Sequence, residues 1–277
     1  MNKTLYLSLL SLVFLTSCSS FAQKPGKWLE LPEIPGNGNT EAISLDMRIG
    51  GVRQRNYTFL WNDDHMTADW VAYPLCSGNI GQGKRTNAFG LCPNLPRHRQ
   101  PNLEHGYREG NSGWYSRGHQ IPSADRLEYN ANVKTFYGIN MTPQDEGLNG
   151  GVWATLENKV RSWAGKCDTL YVVTGCTYDG YDGEYALDND NRKVAVPTGY
   201  YKALLMRNGN NFHACAFTFE NRSYESGKLT KSMAVSVAEL ERRTGITFFP
   251  ALRDIVGREK YRQIKEEDPT VQACWGK

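Results

Sequence analysis

An α+β fold, not a regular βαβ repeat, is what this 277-residue sequence predicts. Three observations carry that expectation. Short β-branched and aromatic runs alternate with amphipathic helical stretches in no regular order; no internal repeat or low-complexity tract is present; and the chain is long enough for a substantial core. A hydrophobic content of 40% with 12% aromatic residues describes a packed globular chain and excludes a disordered one.

The elements follow in order along the chain. "NYTFLWN" and "ADWVAYPL" read as an antiparallel pair of strands. Cys76 to Tyr115 shows little periodicity and many Gly, Asn and Pro, and so long an irregular stretch in a compact domain is usually functional. "KTFYGINMTPQ" reads as an extended segment ending at Pro143. "LNGGVWATLENKVRSWAG" is the clearest helix, with Asn149 at the N-cap position and Gly165 as terminator. Val152, Leu156, Val160 and Trp163 form its core stripe, and Asn149, Trp153, Glu157 and Arg161 a second stripe along one edge. "DTLYVVTGC", "YYKALLM" and "NFHACAFTFE" read as strands, and "SVAELERRTG" as a helix with a capping box formed by Ser236 and Glu239.

The N-terminus reads as an export signal. Lys3 supplies the positive region, and Leu5 to Leu15 an apolar stretch too short to span a bilayer as a helix. Leu15-Thr16-Ser17-Cys18 resembles a lipobox, which predicts cleavage after residue 17 and a lipid anchor on Cys18. The rival site follows Ala22, where Ser20 and Ala22 give a small-x-small pattern that is common by chance near such signals. The expected organisation is therefore a signal at 1–17, a flexible Pro/Gly/Ser-rich tether at 18–38, and one globular domain at 39–277. Six further cysteines suit an oxidising compartment, with Cys76–Cys92 and Cys167–Cys176 as the short-loop pairings expected first. The absence of any C-x-x-C pair argues against structural zinc.

Charge is unevenly spread. The net charge is +3, yet residues 84–126 alone carry seven Lys/Arg against three acidic residues. Such a local field suits a polyanion, although a solvated basic loop has the same composition. Within it lies "YSRGHQIPSADR", where Gly118 and Pro122 break regularity around His119 and set that imidazole at a strand end or turn beside Arg117.

Phosphodiester hydrolysis needs a base for water, positive charge for the pentacovalent phosphorane, and stabilisation of the leaving oxygen. A His beside an Arg can supply the first two, and one hard divalent cation on an amide oxygen and a nearby carboxylate the third. His119, Arg117, Asn149 and Glu157 are residues of those types. Singly, each has a plainer reading: a structural histidine, a helix cap, a surface i,i+4 ion pair between Glu157 and Arg161.

Together, "SRGHQIPSADR", "INMTPQ" and "LNGGVWATLENKVR" resemble, in order and spacing, the DNA/RNA non-specific endonucleases, which include secreted bacterial sugar-non-specific nucleases and mitochondrial endonuclease G. The match is densest over residues 115–161 and extends through "YVVTGC", "VPTGYYKALL" and "ELERRTGI". The resemblance implies a ββα-metal (His-Me finger) fold with a central antiparallel sheet flanked by helices. It implies His119 as general base, Asn149 as direct ligand of Mg²⁺, and Glu157 acting on the metal through water. Arg117 and Arg161 would lie near the scissile phosphate, with Asn140 supporting the site. Arg85 would stabilise transition-state charge, with Arg97 or Arg99 as alternatives for that role. Arg126 joins Arg117, Arg85 and Arg161 as an expected substrate contact. Mn²⁺ or another divalent cation is the alternative to Mg²⁺, and the expected partners are DNA and RNA, contacted through phosphate with little sequence preference. The family motif usually reads Asp-Arg-Gly-His; Ser116 stands at its first position here and cannot place a negative charge beside Arg117. That departure favours the rival expectation, a non-catalytic surface lipoprotein that binds nucleic acid or another polyanion. Membrane contact is expected only through the anchor on Cys18.

Overall fold

The structure is a computed structural model that describes residues 27–34, 39–111 and 113–269. The expected signal, the Cys18 anchor and most of the tether lie outside these residues. Along the chain run β1 (Thr40–Ile49), β2 (Val52–Asn62), β3 (Thr67–Leu75), α1 (Ser77–Ile80), β4 (Ser116–His119), α2 (Tyr129–Thr135), β5 (Met141–Gln144), α3 (Glu146–Leu148) and α4 (Ala154–Ala164). There follow β6 (Thr169–Thr177), β7 (Tyr185–Leu187), β8 (Lys193–Ala195), β9 (Gly199–Asn208), β10 (Asn211–Glu220), β11 (Ala234–Val235), α5 (Val237–Thr244), α6 (Arg253–Val256) and α7 (Arg258–Glu266).

A seven-stranded antiparallel sheet in the order β1-β2-β3-β6-β9-β10-β11 forms the centre. Because strand side chains alternate faces, its two sides build two cores. Phe59, Trp61, Val71, Tyr73, Val172 and Leu204 pack against Leu156, Val160 and Trp163 of α4. Leu60, Trp70, Ala72, Val173, Ala203 and Leu205 pack on the other side against Leu240 of α5 and Tyr261 and Ile264 of α7. The expected sheet flanked by helices is present, and the stripe Val152, Leu156, Val160 and Trp163 is buried throughout.

Several expectations need correction. Residues 27–34 are no tether: Trp28, Leu29 and Leu31 are buried in the second core, and buried Glu30 accepts a 2.7 Å hydrogen bond from Arg55 Nε. Flanking Pro and Gly obscured an apolar patch that packs. Of "KTFYGINMTPQ" only Met141–Gln144 is strand, because Lys134 and Thr135 end α2 and a tight turn at Gly138–Asn140 intervenes. Ser236 caps α5 by accepting from Glu239 N at 3.1 Å, while the Glu239 carboxylate pairs with Arg243. Cys92 and Cys176 are free buried thiols, so neither short-loop pairing forms.

Candidate active site

The site sits on a β4–β5 ribbon followed by helix. Ser116 faces Gln144 and His119 faces Met141, so "SRGH" and "INMTPQ" pair as antiparallel strands. Gly118 is required there: a Cβ would come within 2.6 Å of the Gln144 side chain. Under the ribbon, Leu103, Tyr107, Phe136, Met141, Ala186 and Val194 form a third core.

His119 ends β4, half-buried, its ring edge-on to Phe136 with centroids 5.2 Å apart. Nε2 is buried without a hydrogen-bond partner among the described residues. That nitrogen is therefore open to a group from outside the protein. Burial, then the positive charges of Arg85 and Arg117, push the imidazole down to about 3, against the opposing effect of the Arg117 backbone. The ring is neutral at physiological pH.

Arg117 lies over the Phe89 ring at 3.4 Å, and its Nη1 donates to the carbonyls of Leu103 at 2.8 Å and Glu104 at 3.0 Å. Nε and Nη2 make no hydrogen bond among the described residues, which leaves one edge of the fork for a phosphate. Arg85 lies over Phe136 at 4.7 Å, with Nε on Asn87 at 2.7 Å and Nη1 on Ser123 Oγ at 2.9 Å. Burial pulls both guanidinium groups below their ordinary range. Arg97 is paired with Asp190, and Arg99 with Asp63 and Glu41, so Arg85 is the arginine of the three that acts electrostatically on His119.

Asn149 is not an N-cap. Asp145 caps, accepting from Leu148 N at 2.9 Å, and Asn149 opens a π-turn, Asn149–Trp153, that joins α3 to α4. Gly151 absorbs the kink with φ −99° and ψ −114°. Such turns recur at functional sites because they release groups from the regular ladder. The half-buried Asn149 amide is engaged by no hydrogen bond among the described residues. About two turns on, half-buried Glu157 is pushed up to about 7 by burial and by nearby Asp125, against the pull of Lys202 and Arg161. Arg85 feels the same carboxylate, and so links it electrostatically to His119.

Arg161 does not pair with Glu157. Its Nη1 donates to the buried Asp125 carboxylate at 2.9 Å and its Nη2 to Asn158. Asn140 is buried behind the ribbon: it accepts from Ile121 N at 3.0 Å and donates to the carbonyls of Ile121 and Thr135, which holds the chain just after His119. Arg126 is no substrate contact. It is buried, donates to Asn56, Pro74 O and Asp125 O, and lies over Tyr73. An arginine with its fork consumed inside the protein is a strut.

Two charged residues of the cluster escaped the sequence reading. Asp125 closes the SADR run and is wholly buried, accepting also from Tyr73 Oη at 2.8 Å. Lys202, in the apolar strand "YYKALLM", is also wholly buried, donates to Thr174 Oγ1 and lies 4.8 Å over the Trp153 ring. Burial pulls it down to about 8, against the attraction of Glu157 and Asp125. A lysine in the middle of an apolar strand was the available signal for it.

The family profile of DNA/RNA non-specific endonucleases matches residues 37–255. The chain is 31% identical over 226 residues to nuclease C1 of Cunninghamella echinulata var. echinulata, covering 79% of this chain and 86% of that one. It is 30% identical over 205 residues to the nuclease of Serratia marcescens, covering 72% and 75%. Among solved structures, one of endonuclease G in complex with its inhibitor EndoGI superposes with a TM-score of 0.57 at 22% identity, over 74% of this chain and 86% of that one.

Proposed function

The chain belongs to the DNA/RNA non-specific endonuclease family and is a nuclease of ββα-metal fold; from this premise we propose that it hydrolyses DNA and RNA phosphodiesters with His119 as general base and a divalent cation at Asn149. The observation that carries the reading is the orphaned, buried Nε2 of a neutral His119 that lies in the positive field of Arg85 and Arg117. A buried polar nitrogen without a protein partner is costly unless an external group completes it.

The residues fit a hard divalent cation. Glu157 is a carboxylate whose charged form is disfavoured mainly by burial, a penalty that an adjacent cation would offset, and Asn149 presents an amide oxygen with no competing bond among the described residues. No group of three or more His, Cys, Asp or Glu side chains converges among the described residues, and a sparse oxygen donor set suits an ion that retains its waters, of which Mg²⁺ is the proposed example. When bound, the cation supplies positive charge for the pentacovalent phosphorane and the leaving oxygen.

The chain's own groups do the rest. Nε2 of His119 takes the proton as a water oxygen forms its bond to phosphorus and the opposite phosphorus–oxygen bond breaks. The edge-on Phe136 ring packs against the imidazole and holds it in place during that transfer. The open edge of Arg117 and the Arg85 guanidinium bind the non-bridging oxygens, whose charge grows in the transition state. Contacts of this kind read phosphate, so base preference is weak and binding falls with salt.

Export with a lipid anchor on Cys18 is part of the same proposal and would place the activity at a cell surface. The non-catalytic alternative is not favoured: it rested on Ser116, and the Leu103 and Glu104 carbonyls orient Arg117 without a carboxylate at position 116. The test is incubation of supercoiled plasmid and of RNA with the purified protein, in Mg²⁺ and in chelator. Degradation of both polymers in Mg²⁺ alone supports the reading, and intact substrates in Mg²⁺ overturn it.

A further inference from the structure

The turn that fixes Arg117 is itself held from one direction. Its carbonyls, Leu103 and Glu104, belong to the segment Asn102–Gly106, which has no strand or helix of its own. The loop between β7 and β8 grips both ends of that segment. Buried Asp188 accepts from Asn102 N at 2.9 Å, and its other bonds, from Asp190 N and from Arg192 N and Nε, lock it within its own loop. Asn189 N donates to Asn102 O at 2.8 Å, its Oδ1 accepts from His105 N at 2.9 Å, and its Nδ2 donates to Gly106 O at 2.8 Å. Two neighbouring residues thus satisfy the backbone on both sides of the carbonyl pair that binds Arg117.

We propose that Asp188 and Asn189 are positioning residues for Arg117: by clamping Asn102–Gly106 they aim the arginine's open edge at the scissile phosphate. The inference rests on the nuclease reading. The reason for such a device is chemical. Backbone carbonyls carry only partial charge, so they orient a guanidinium well only if the turn that bears them is rigid. In this chain, with Ser116 ahead of Arg117, the rigidity comes from the β7–β8 loop.

The test is a double-mutant cycle on Asn189→Ala and Arg117→Ala, with Asp188→Asn as a second clamp variant. Asn189 is half-buried and its partners are backbone groups that water can reach, so Asn189→Ala should fold with a melting temperature near that of the unaltered protein. Expected is a fall in kcat of about fivefold or more with KM little changed, and a further loss of less than about twofold when Arg117 is already alanine. Equal losses in both backgrounds, or unaltered kcat in Asn189→Ala, would overturn the proposal. A second readout is independent of turnover: the NMR order parameter of the Arg117 Nε–H bond should fall in Asn189→Ala, and an unchanged value contradicts the clamp. If the unaltered protein cleaves neither DNA nor RNA, the nuclease reading fails while the order parameter still decides the clamp.

Discussion

His119 stands edge-on to Phe136, with ring centroids 5.2 Å apart and planes at 87°. The face of the same phenyl ring carries Arg85 at 4.7 Å, so one buried aromatic touches both the proposed base and the arginine proposed to bind phosphate. Phe136→Leu keeps an apolar filler but removes the platform. It should cost about 1–2 kcal/mol of stability, measured by urea denaturation. It should also lower kcat by about one to two decades. A variant that loses stability alone would show the ring to be packing only.

Glu157 and the cation should be linked through pH. A carboxylate raised to about 7 from its ordinary 4.5 favours the folded state most below pH 4.5, and that contribution is lost as pH rises through about 7. Above that point the carboxylate is charged and free to bind a cation. The rise in melting temperature on adding Mg²⁺ should therefore be larger at pH 8 than at pH 5. Asn149→Ala should abolish most of that rise and lower cleavage by at least about two decades. A pH-independent shift, or an Asn149→Ala shift equal to that of the unaltered protein, contradicts the assignment.

Lys202 acts on the Glu157 carboxyl through its field. Its positive charge draws the Glu157 carboxyl downward, so Lys202→Met should raise it further and require a higher pH to ionise it. The acid limb of the kcat/KM profile should move to higher pH, with a loss of about tenfold at pH 7 that is partly recovered at pH 9. An unmoved limb would restrict Lys202 to packing against Trp153.

Arg126 and Arg85 should separate stability from catalysis. Arg126 is buried among Asn56, Pro74, Asp125 and Tyr73, so Arg126→Met strips charge from beside the buried Asp125 and should cost about 3–5 kcal/mol. Arg85→Ala should leave the melting temperature within a few degrees while lowering kcat by about two decades. Thermal melts and kinetics on the two variants check the contrast.

The legibility of this molecule followed the range of its interactions. The aromatic and β-branched runs "NYTFLWN" and "ADWVAYPL" and the stripe of Val152, Leu156 and Val160 at helical spacing are local patterns, and they form the paired strands and the core-facing helix side expected of them. The order and spacing of three motifs named His119, Arg117 and Glu157 as candidates. The rest depended on contacts between distant segments. Nothing near Asp188 or Asn189 announces that they grip residues 102–106, and nothing near Arg126 shows that Asn56 and Pro74 enclose it. Asn149 was misread as a cap because Asp145, four positions earlier, takes that role and the Gly150-Gly151 pair permits a π-turn. Trp28 and Leu31 were missed because the prolines and glycines around them read as linker.

The central claim is that His119 Nε2 takes the proton from attacking water, and the most direct measurement is the single-turnover rate of plasmid cleavage in Mg²⁺ by His119→Ala beside the unaltered protein. The account predicts a fall of at least about two decades with the melting temperature preserved. A rate within about twofold of the unaltered protein would contradict it.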